Sequence, residues 1–198
     1  DAISKVVEPV LQRNGGSIYY INLSQDDFKL GGSSFAQTLN KIGSETPTIK
    51  DADFFKRAFN AIQDLIKEDQ IVAGHDIGSG GLITTLLELC FADVNLGAKI
   101  SFDAFEEKDL VKILFSENIA VVLQAKNDST FEKALQSDNV SFSKIGTVQE
   151  TPSLDFGTST ALSVTNLNIA TYRNIWFKTS FLLDQKQTKN NKAKKNFD

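Results

Sequence analysis

Asp76 stands two residues ahead of a glycine-rich stretch, Gly78-Ser79-Gly80-Gly81, and this spacing suits the capture of a phosphorylated ligand with a metal ion. An apolar run, Ile71-Val72-Ala73, leads into the stretch. Leu82, Ile83, Leu86, Leu87, Cys90 and Phe91 lead out of it at helical spacing. The order is strand, turn, helix. The first turn of a helix carries N–H groups without internal partners and a partial positive charge. Glycine lets the backbone approach an anion closely, so such a corner suits phosphate. Asp76 adds a hard oxygen for a metal ion. Taken alone, the same stretch also describes a tight strand-to-helix connection. It is not a P-loop, because no Lys-Ser/Thr pair follows the glycines, and it is not G-x-G-x-x-G.

Other chemistries have weaker support. His75 is the only histidine and precedes the only cysteine, Cys90, which falls on an apolar helix stripe. A nucleophilic pair needs an exposed, activated thiol, so Cys90 reads as a buried structural residue. A lone cysteine forms no internal disulfide, and a reducing, cytoplasmic setting is expected. No cluster offers the three or four ligands of a zinc site. Asp26-Asp27, Glu68-Asp69 and Glu106-Glu107 read as solvated acidic neighbours. Arg173 and Trp176, three apart, are expected to share a helix face and pack against a partner. No residue is singled out as catalytic.

The 198 residues suffice for one domain with a sizeable core and an appendage. Hydrophobic residues make up 41% and charged residues 23%, an ordinary globular composition. A net charge of -4 argues against a nucleic-acid partner. No apolar run approaches the ~20 residues that span a membrane. No signal peptide is expected from the opening Asp1-Ala2-Ile3-Ser4-Lys5. The absence of methionine, at the first position and elsewhere, leads us to expect a piece of a longer polypeptide.

The elements that must position Asp76 and the glycines follow from periodicity. Ile18 to Leu23 reads as a strand after Gly15-Gly16, and a short helix is expected around Phe35 to Leu39. Phe55, Ala58, Phe59, Ile62, Leu65 and Ile66 form a one-sided stripe over residues 51 to 68, with Asp51 as its cap. Ile71 to Gly74 is a short buried strand. Ala98, Ile100 and Phe102 alternate with Lys99 and Ser101 as a half-buried strand. Leu110 to Phe115 marks a helix, and Ile119 to Ala125 a strand covered on both faces. Phe131, Ala134 and Leu135 suggest a helix. Val140 to Val148 suggests strand around Gly146, and Leu154 to Phe156 with Ala161 to Val164 a hairpin. The alternation implies an α/β sandwich with a mixed sheet over residues 1–165. Residues 166–198 then read as a long helical connector, with Ile169, Tyr172, Trp176, Thr179 and Leu183 as its seam. Lys186, Lys189, Lys192, Lys194 and Lys195 follow as a solvated end.

Several segments in order resemble one family. Gly31-Gly32-Ser33-Ser34-Phe35-Ala36-Gln37 looks like its GGS-x-x-AQ loop. His75 to Leu82, followed by Leu87-Glu88, looks like its HDxSDGGL…xxE segment. Leu114-Phe115-Ser116-Glu117-Asn118 resembles its LFxE turn, and Ile145-Gly146-Thr147-Val148 its IGxV strand. Together they resemble the C-terminal domain of the aminoimidazole ribonucleotide synthetase superfamily. Tyr172 to Phe181, with Asp184 and Gln185, is similar to the connector of the large single-chain phosphoribosylformylglycinamidine synthases within that superfamily. There it precedes the glutaminase domain. Selenophosphate synthetase, thiamine-monophosphate kinase and hydrogenase maturation proteins are the other members considered, and the connector argues against them.

The resemblance implies a fold, a fragment of an ATP- and glutamine-dependent ligase of purine biosynthesis, and partners. The fold is a mixed sheet with helices packed on it and a long C-terminal helix. The substrate implied is formylglycinamide ribonucleotide, and the partners are an N-terminal superfamily domain and a glutaminase domain of the same polypeptide. ATP and Mg²⁺ are the implied cofactors, with Asp76 as the metal ligand. Gly78, Ser79, Gly80, Gly81, Gly31, Gly32 and Ser33 are implied to line the nucleotide or substrate cleft. Gly78 stands where the family has Ser, and Ser79 where it has Asp, so a hydroxyl contact at 78 is lost unless Ser79 supplies it. The fragment is expected to be inactive alone. A structural, non-catalytic module of the same enzyme is the alternative, and an exposed apolar sheet face would favour dimerisation of the isolated piece.

Overall fold

One seven-stranded mixed sheet carries the phosphate-corner candidate at its edge. The computed structural model describes residues 5–159, 165–189 and 192–197. In chain order the strands are β1 (Ile18–Asn22), β2 (Ile71–Asp76), β3 (Gly97–Ser101), β4 (Ala120–Ala125), β5 (Ser143–Gln149), β6 (Ser153–Gly157) and β7 (Thr165–Asn168). The helices are α1 (Ser34–Thr38), α2 (Ala52–Lys67), α3 (Gly81–Phe91), α4 (Leu110–Phe115), α5 (Asp128–Ser137), α6 (Ile169–Gln187) and α7 (Lys192–Phe197). The sheet order is β2-β4-β1-β5-β3-β6-β7. Neighbours run antiparallel except β3 and β6, which pair in parallel from Ala98↔Leu154 to Ser101↔Gly157.

The two faces of the sheet bury different halves of each strand, as a period of two requires. Ile18 and Tyr20 of β1, with Ala120 and Val122 of β4, meet Leu82, Leu86 and Leu89 of α3 and Ile113 of α4. Tyr19 and Ile21, with Leu123 and Ala125, meet α2 and α5 through Phe54, Ala58, Leu65, Phe131 and Leu135. Both β1 and β4 are therefore covered on both sides, which is why their sequences are apolar at consecutive positions. On β3, β5 and β6 the second face presents Lys99, Ser101, Lys144 and Asp155. This uncovered part of the sheet is polar. The exposed large apolar side chains of the C-terminal region sit on α6 instead, at Ile175, Trp176, Leu182 and Leu183.

Two sequence expectations shift, and a third falls outside the described residues. Asp51 does cap α2, accepting from the Phe54 N–H at 2.8 Å. The buried face of α2, however, is Phe54, Ala58, Ala61, Ile62 and Leu65, and Phe59 is 48% exposed. Apolar residues occur in adjacent pairs along α2, so two overlapping stripes were available and packing selected the one through Phe54. The return strand expected at Ala161 to Val164 falls on residues 160–164, outside the described residues. The strand that pairs with β6 is β7, from Ser153↔Asn168 to Phe156↔Thr165.

The second shift concerns Asp26, which is not solvated. Its side chain is fully buried and pairs with Lys29 and Lys50, each at 2.8 Å. It also accepts from the N–H groups of Thr48 and Asp27. Burial alone would raise the Asp26 carboxyl; the two ammonium groups and two N–H donors outweigh it and hold the carboxyl well below its usual value of 3.8. Asp26 thereby fixes the segment from Asp26 to Lys50, which precedes α2 and contains α1. Removing one partner of a buried ion pair costs ~3 kcal/mol, so Asp26→Asn is expected to lower the unfolding free energy by about that amount at pH 7, measured by chemical denaturation. The folded carboxyl releases its proton more readily than the unfolded one, so this stabilisation is complete above the usual value and is lost as pH falls below it. The gap between wild type and Asp26→Asn is expected to close in acid.

Candidate functional site

β2 delivers His75 and Asp76 to the edge of the sheet, paired with Val122 and Val121 of β4. The chain then turns. The Ile77 N–H donates to the Ala120 carbonyl at 2.9 Å, and Gly80 becomes the N-cap of α3 with φ of 91°. Gly81 follows with φ of 74°, and a Cβ there would lie 2.7 Å from the Leu114 carbonyl oxygen and 2.8 Å from Phe115. Two consecutive left-handed residues against a neighbouring backbone leave little choice but glycine. Gly78 differs, because a Cβ there would meet nothing within 4 Å. That corner is open.

The four N–H groups of the turn are not equivalent. Gly81 donates back to the Gly78 carbonyl at 3.1 Å. Gly80 donates to Oε1 of Glu117 at 2.8 Å. The N–H groups of Gly78 and Ser79 have no acceptor among the described residues. The part of the stretch free to meet a ligand is therefore Gly78-Ser79, not the whole run to Gly81.

The second glycine loop uses its amides internally. Gly31 donates to the Glu45 carbonyl at 2.8 Å, Gly32 to Ile42 at 2.7 Å and Ser33 to Leu30 at 3.2 Å. The Ser33 hydroxyl is buried, caps α1 by accepting from the Ala36 N–H, and donates to the Leu30 carbonyl. Gly31, Gly32 and Ser33 thus shape a loop rather than present donors. The structure brings this loop to the first one through Glu117, whose Oε1 also accepts from the Ser34 N–H at 2.8 Å. Phe35 stacks on Phe115 with centroids 4.6 Å apart, which reinforces the junction. Flanking residues complete it. The Ser116 hydroxyl bonds Lys29, and Nδ2 of Asn118 donates to the carbonyls of Asp26 and Asp27.

Asp76 is 83% exposed at its side chain. Its carboxylate lies 3.2 Å from Nδ1 of His75, and its carbonyl accepts from the Thr85 hydroxyl at 3.2 Å. Nε2 of His75 lies 3.3 Å from Oε2 of Glu88 on α3. Oε1 of Glu88 accepts from the indole N–H of Trp176 on α6 at 3.0 Å. His75, Glu88 and Trp176 line a cavity of about 400 Å³ with Phe91, Arg173 and Phe177. Arg173 stacks over Phe177 rather than over Trp176, with its guanidinium 5.7 Å from the ring centroid. Among the described residues no three His, Cys, Asp or Glu side chains converge as a ready metal cage. Cys90 is buried, which pushes its thiol up to about 12, so it is chemically inert.

Sequence reasoning placed Asp76 and the turn but assigned no role to Glu117 or Glu88. Both acids stood inside recognised segments. Neither motif signals a hydrogen bond across 37, 83 or 88 residues.

The family described as AIR synthase related protein, C-terminal domain, matches residues 14–158. The Arabidopsis thaliana protein named "Probable phosphoribosylformylglycinamidine synthase, chloroplastic/mitochondrial" is 34% identical over 192 residues, covering 93% of this chain. The chain spans 13% of that relative's length. PurL of Thermotoga maritima complexed with FGAR superposes with a TM-score of 0.64 at 19% identity, over 86% of this chain and 30% of that one. PurL of T. maritima complexed with ATP gives 0.61 at 19% identity, over 84% and 27%. The hydrogenase maturation protein HypE in complex with ATP gives 0.57 at 16% identity, over 84% and 54%. These structural likenesses establish the fold. No helix among the described residues is long and apolar enough to cross a membrane.

Two substitutions test the junction. Glu117→Ala strands the Gly80 and Ser34 N–H groups, and hydrogen bonds to a charged acceptor are worth ~1.5–3 kcal/mol each. A loss of about 3 kcal/mol in unfolding free energy is expected, with Glu117→Gln retaining roughly half of it. Gly81→Ala adds strain and a backbone clash, and a fall of at least ~2 kcal/mol is expected by the same measurement.

Proposed function

Because the chain belongs to the family of AIR synthase related protein C-terminal domains, we propose that it is one domain of a phosphoribosylformylglycinamidine synthase. That ligase converts formylglycinamide ribonucleotide, ATP and glutamine to the amidine, ADP, phosphate and glutamate. The domain contributes a nucleotide and Mg²⁺ corner, and the helical residues that follow β7, from Ile169 onward, form the connector toward a glutaminase domain; the expected boundary at 166 falls inside β7. An N-terminal superfamily domain completes the cleft. We assign the cytoplasm to this chain as its compartment.

The observation that carries this reading is the exposed Asp76 carboxylate beside the open Gly78 and the N–H groups of Gly78 and Ser79, which have no partner among the described residues. This donor set fits the ions it would serve. Asp76 offers a hard oxygen of the kind Mg²⁺ takes, and Mg²⁺ binds through one or two carboxylates plus substrate phosphates rather than an all-protein cage. When bound, the metal neutralises charge on the transferring phosphoryl group. Gly78 and Ser79 donate N–H groups to phosphate oxygens, and the absence of a side chain at 78 lets the phosphate approach the backbone. The Ser79 hydroxyl, one position later, stands in for the missing hydroxyl at 78. Gly80 and Gly81 hold the turn in shape. Gly31, Gly32 and Ser33 enter as the far wall of the cleft, fixed by Glu117, not as amide donors.

The isolated chain is expected to form no amidine, measured by product formation with all three substrates. In the full-length synthase that contains it, Asp76→Asn is expected to lower turnover at least 10-fold while leaving the unfolding midpoint unchanged. A lost midpoint with retained turnover would instead make the domain a structural module.

A further inference from the structure

We propose that Glu88 and Trp176 are positioning residues for Asp76, coupling the C-terminal helix α6 to the phosphate corner through His75; this rests on the reading of Asp76 as a metal ligand. The contacts run in sequence, and two of them are hydrogen bonds, Trp176 to Glu88 and Nδ1 of His75 with the Asp76 carbonyl. The Trp176 indole N–H donates to Oε1 of Glu88 at 3.0 Å, and Oε2 of Glu88 lies 3.3 Å from Nε2 of His75. Nδ1 of His75 lies 3.2 Å from the Asp76 carboxylate and 2.7 Å from the Asp76 carbonyl. Three elements, α6, α3 and β2, are joined end to end.

Exposure separates the roles along this chain of contacts. Asp76 is 83% exposed at its side chain, so little packing restricts its rotamer. His75 and Glu88 are 24% and 25% exposed and face the cavity of about 400 Å³. The better-buried pair therefore sets the direction of the freer carboxylate. Partners that orient a metal ligand from behind are worth about 10-fold or more in metal affinity. At the other end, Ile169 is the one buried residue among those described on α6. Trp176 is one of the α6 side chains that meet α3, bonding Glu88 and packing on Phe91 with centroids 5.7 Å apart.

The sequence supplies its own reporters, because it contains one histidine and one tryptophan. In nuclear magnetic resonance spectra of the 198-residue chain, the His75 ring nitrogens and the Trp176 indole N–H each give a single signal. Trp176→Phe keeps an aromatic ring against Phe91 and removes the donor. Without any ligand it is expected to shift the His75 ring signals and the Asp76 amide. Unmoved His75 signals overturn the proposal. Titration of the wild type with Mg²⁺ and ATP is expected to move the indole signal in step with the Gly78 and Ser79 amides. A silent indole with responding amides overturns the coupling and leaves the phosphate reading intact. Silent amides in the isolated chain together with unchanged turnover of Asp76→Asn in the full-length synthase overturn the phosphate reading, and the role toward Asp76 falls with it. Glu88→Ala is expected to weaken Mg²⁺ and ATP binding about 10-fold, and Glu88→Gln, which keeps an acceptor for the indole, to restore most of that loss. Equal losses in the two variants overturn the proposal.

Discussion

Two backbone N–H groups from distant loops converge on one oxygen of Glu117, and the shape of the candidate site depends on that convergence. A helix that begins with glycine has no side-chain cap of its own, and α3 has none. The carboxylate that fills the role arrives from the turn between α4 and β4. It places negative charge at the positive end of α3 and closes off one N–H there. The same oxygen fixes the start of α1, so the loop holding Gly31 and Gly32 cannot drift from the loop holding Gly78. Ser116 and Asn118 on either side of Glu117 tie the turn to Lys29, Asp26 and Asp27, and Asp26 is itself anchored by two lysines. Position is set by buried hydrogen bonds rather than by chain connectivity.

This arrangement divides labour between two acids. Glu117 is bonded to the amides that need neutralising, whereas Asp76 projects into solvent. In the proposed reading, a phosphate at Gly78 and Ser79 meets a turn whose next amide already holds a carboxylate, and a cation held by the exposed carboxylate on the neighbouring strand end balances its charge.

The sequence made most elements legible, because their apolar positions repeat with one clear period. The consecutive apolar residues of β4, the alternating residues of β3 and the stripe of α3 each found the environment their pattern implied. Legibility failed where the pattern was degenerate or the cause was remote. The paired apolar residues of α2 allowed two faces, and only docking on β1 and β4 chose between them. Asp26 looked like one of a solvated pair because Lys50 lies 24 residues away in sequence yet 2.8 Å away in space. For the site, the glycines and Asp76 were readable as a strand-turn-helix corner. Which amides stay free was not readable, since that is decided by Glu117 reaching back to Gly80 and Ser34.

The placement of β1 in the sheet carries a consequence for how the chain is made. β1 lies between β4 and β5, so Ile18 pairs with Gln124 on one side and Gly146 on the other. During synthesis neither neighbour exists until the segment between Asn22 and Ala120 has been translated. The apolar Ile18-Tyr19-Tyr20-Ile21 segment must emerge and wait without a strand partner, exposed to chaperones and to other nascent chains. Vectorial folding of this sheet from its N-terminus is topologically closed, and assembly begins only once β4 has been translated.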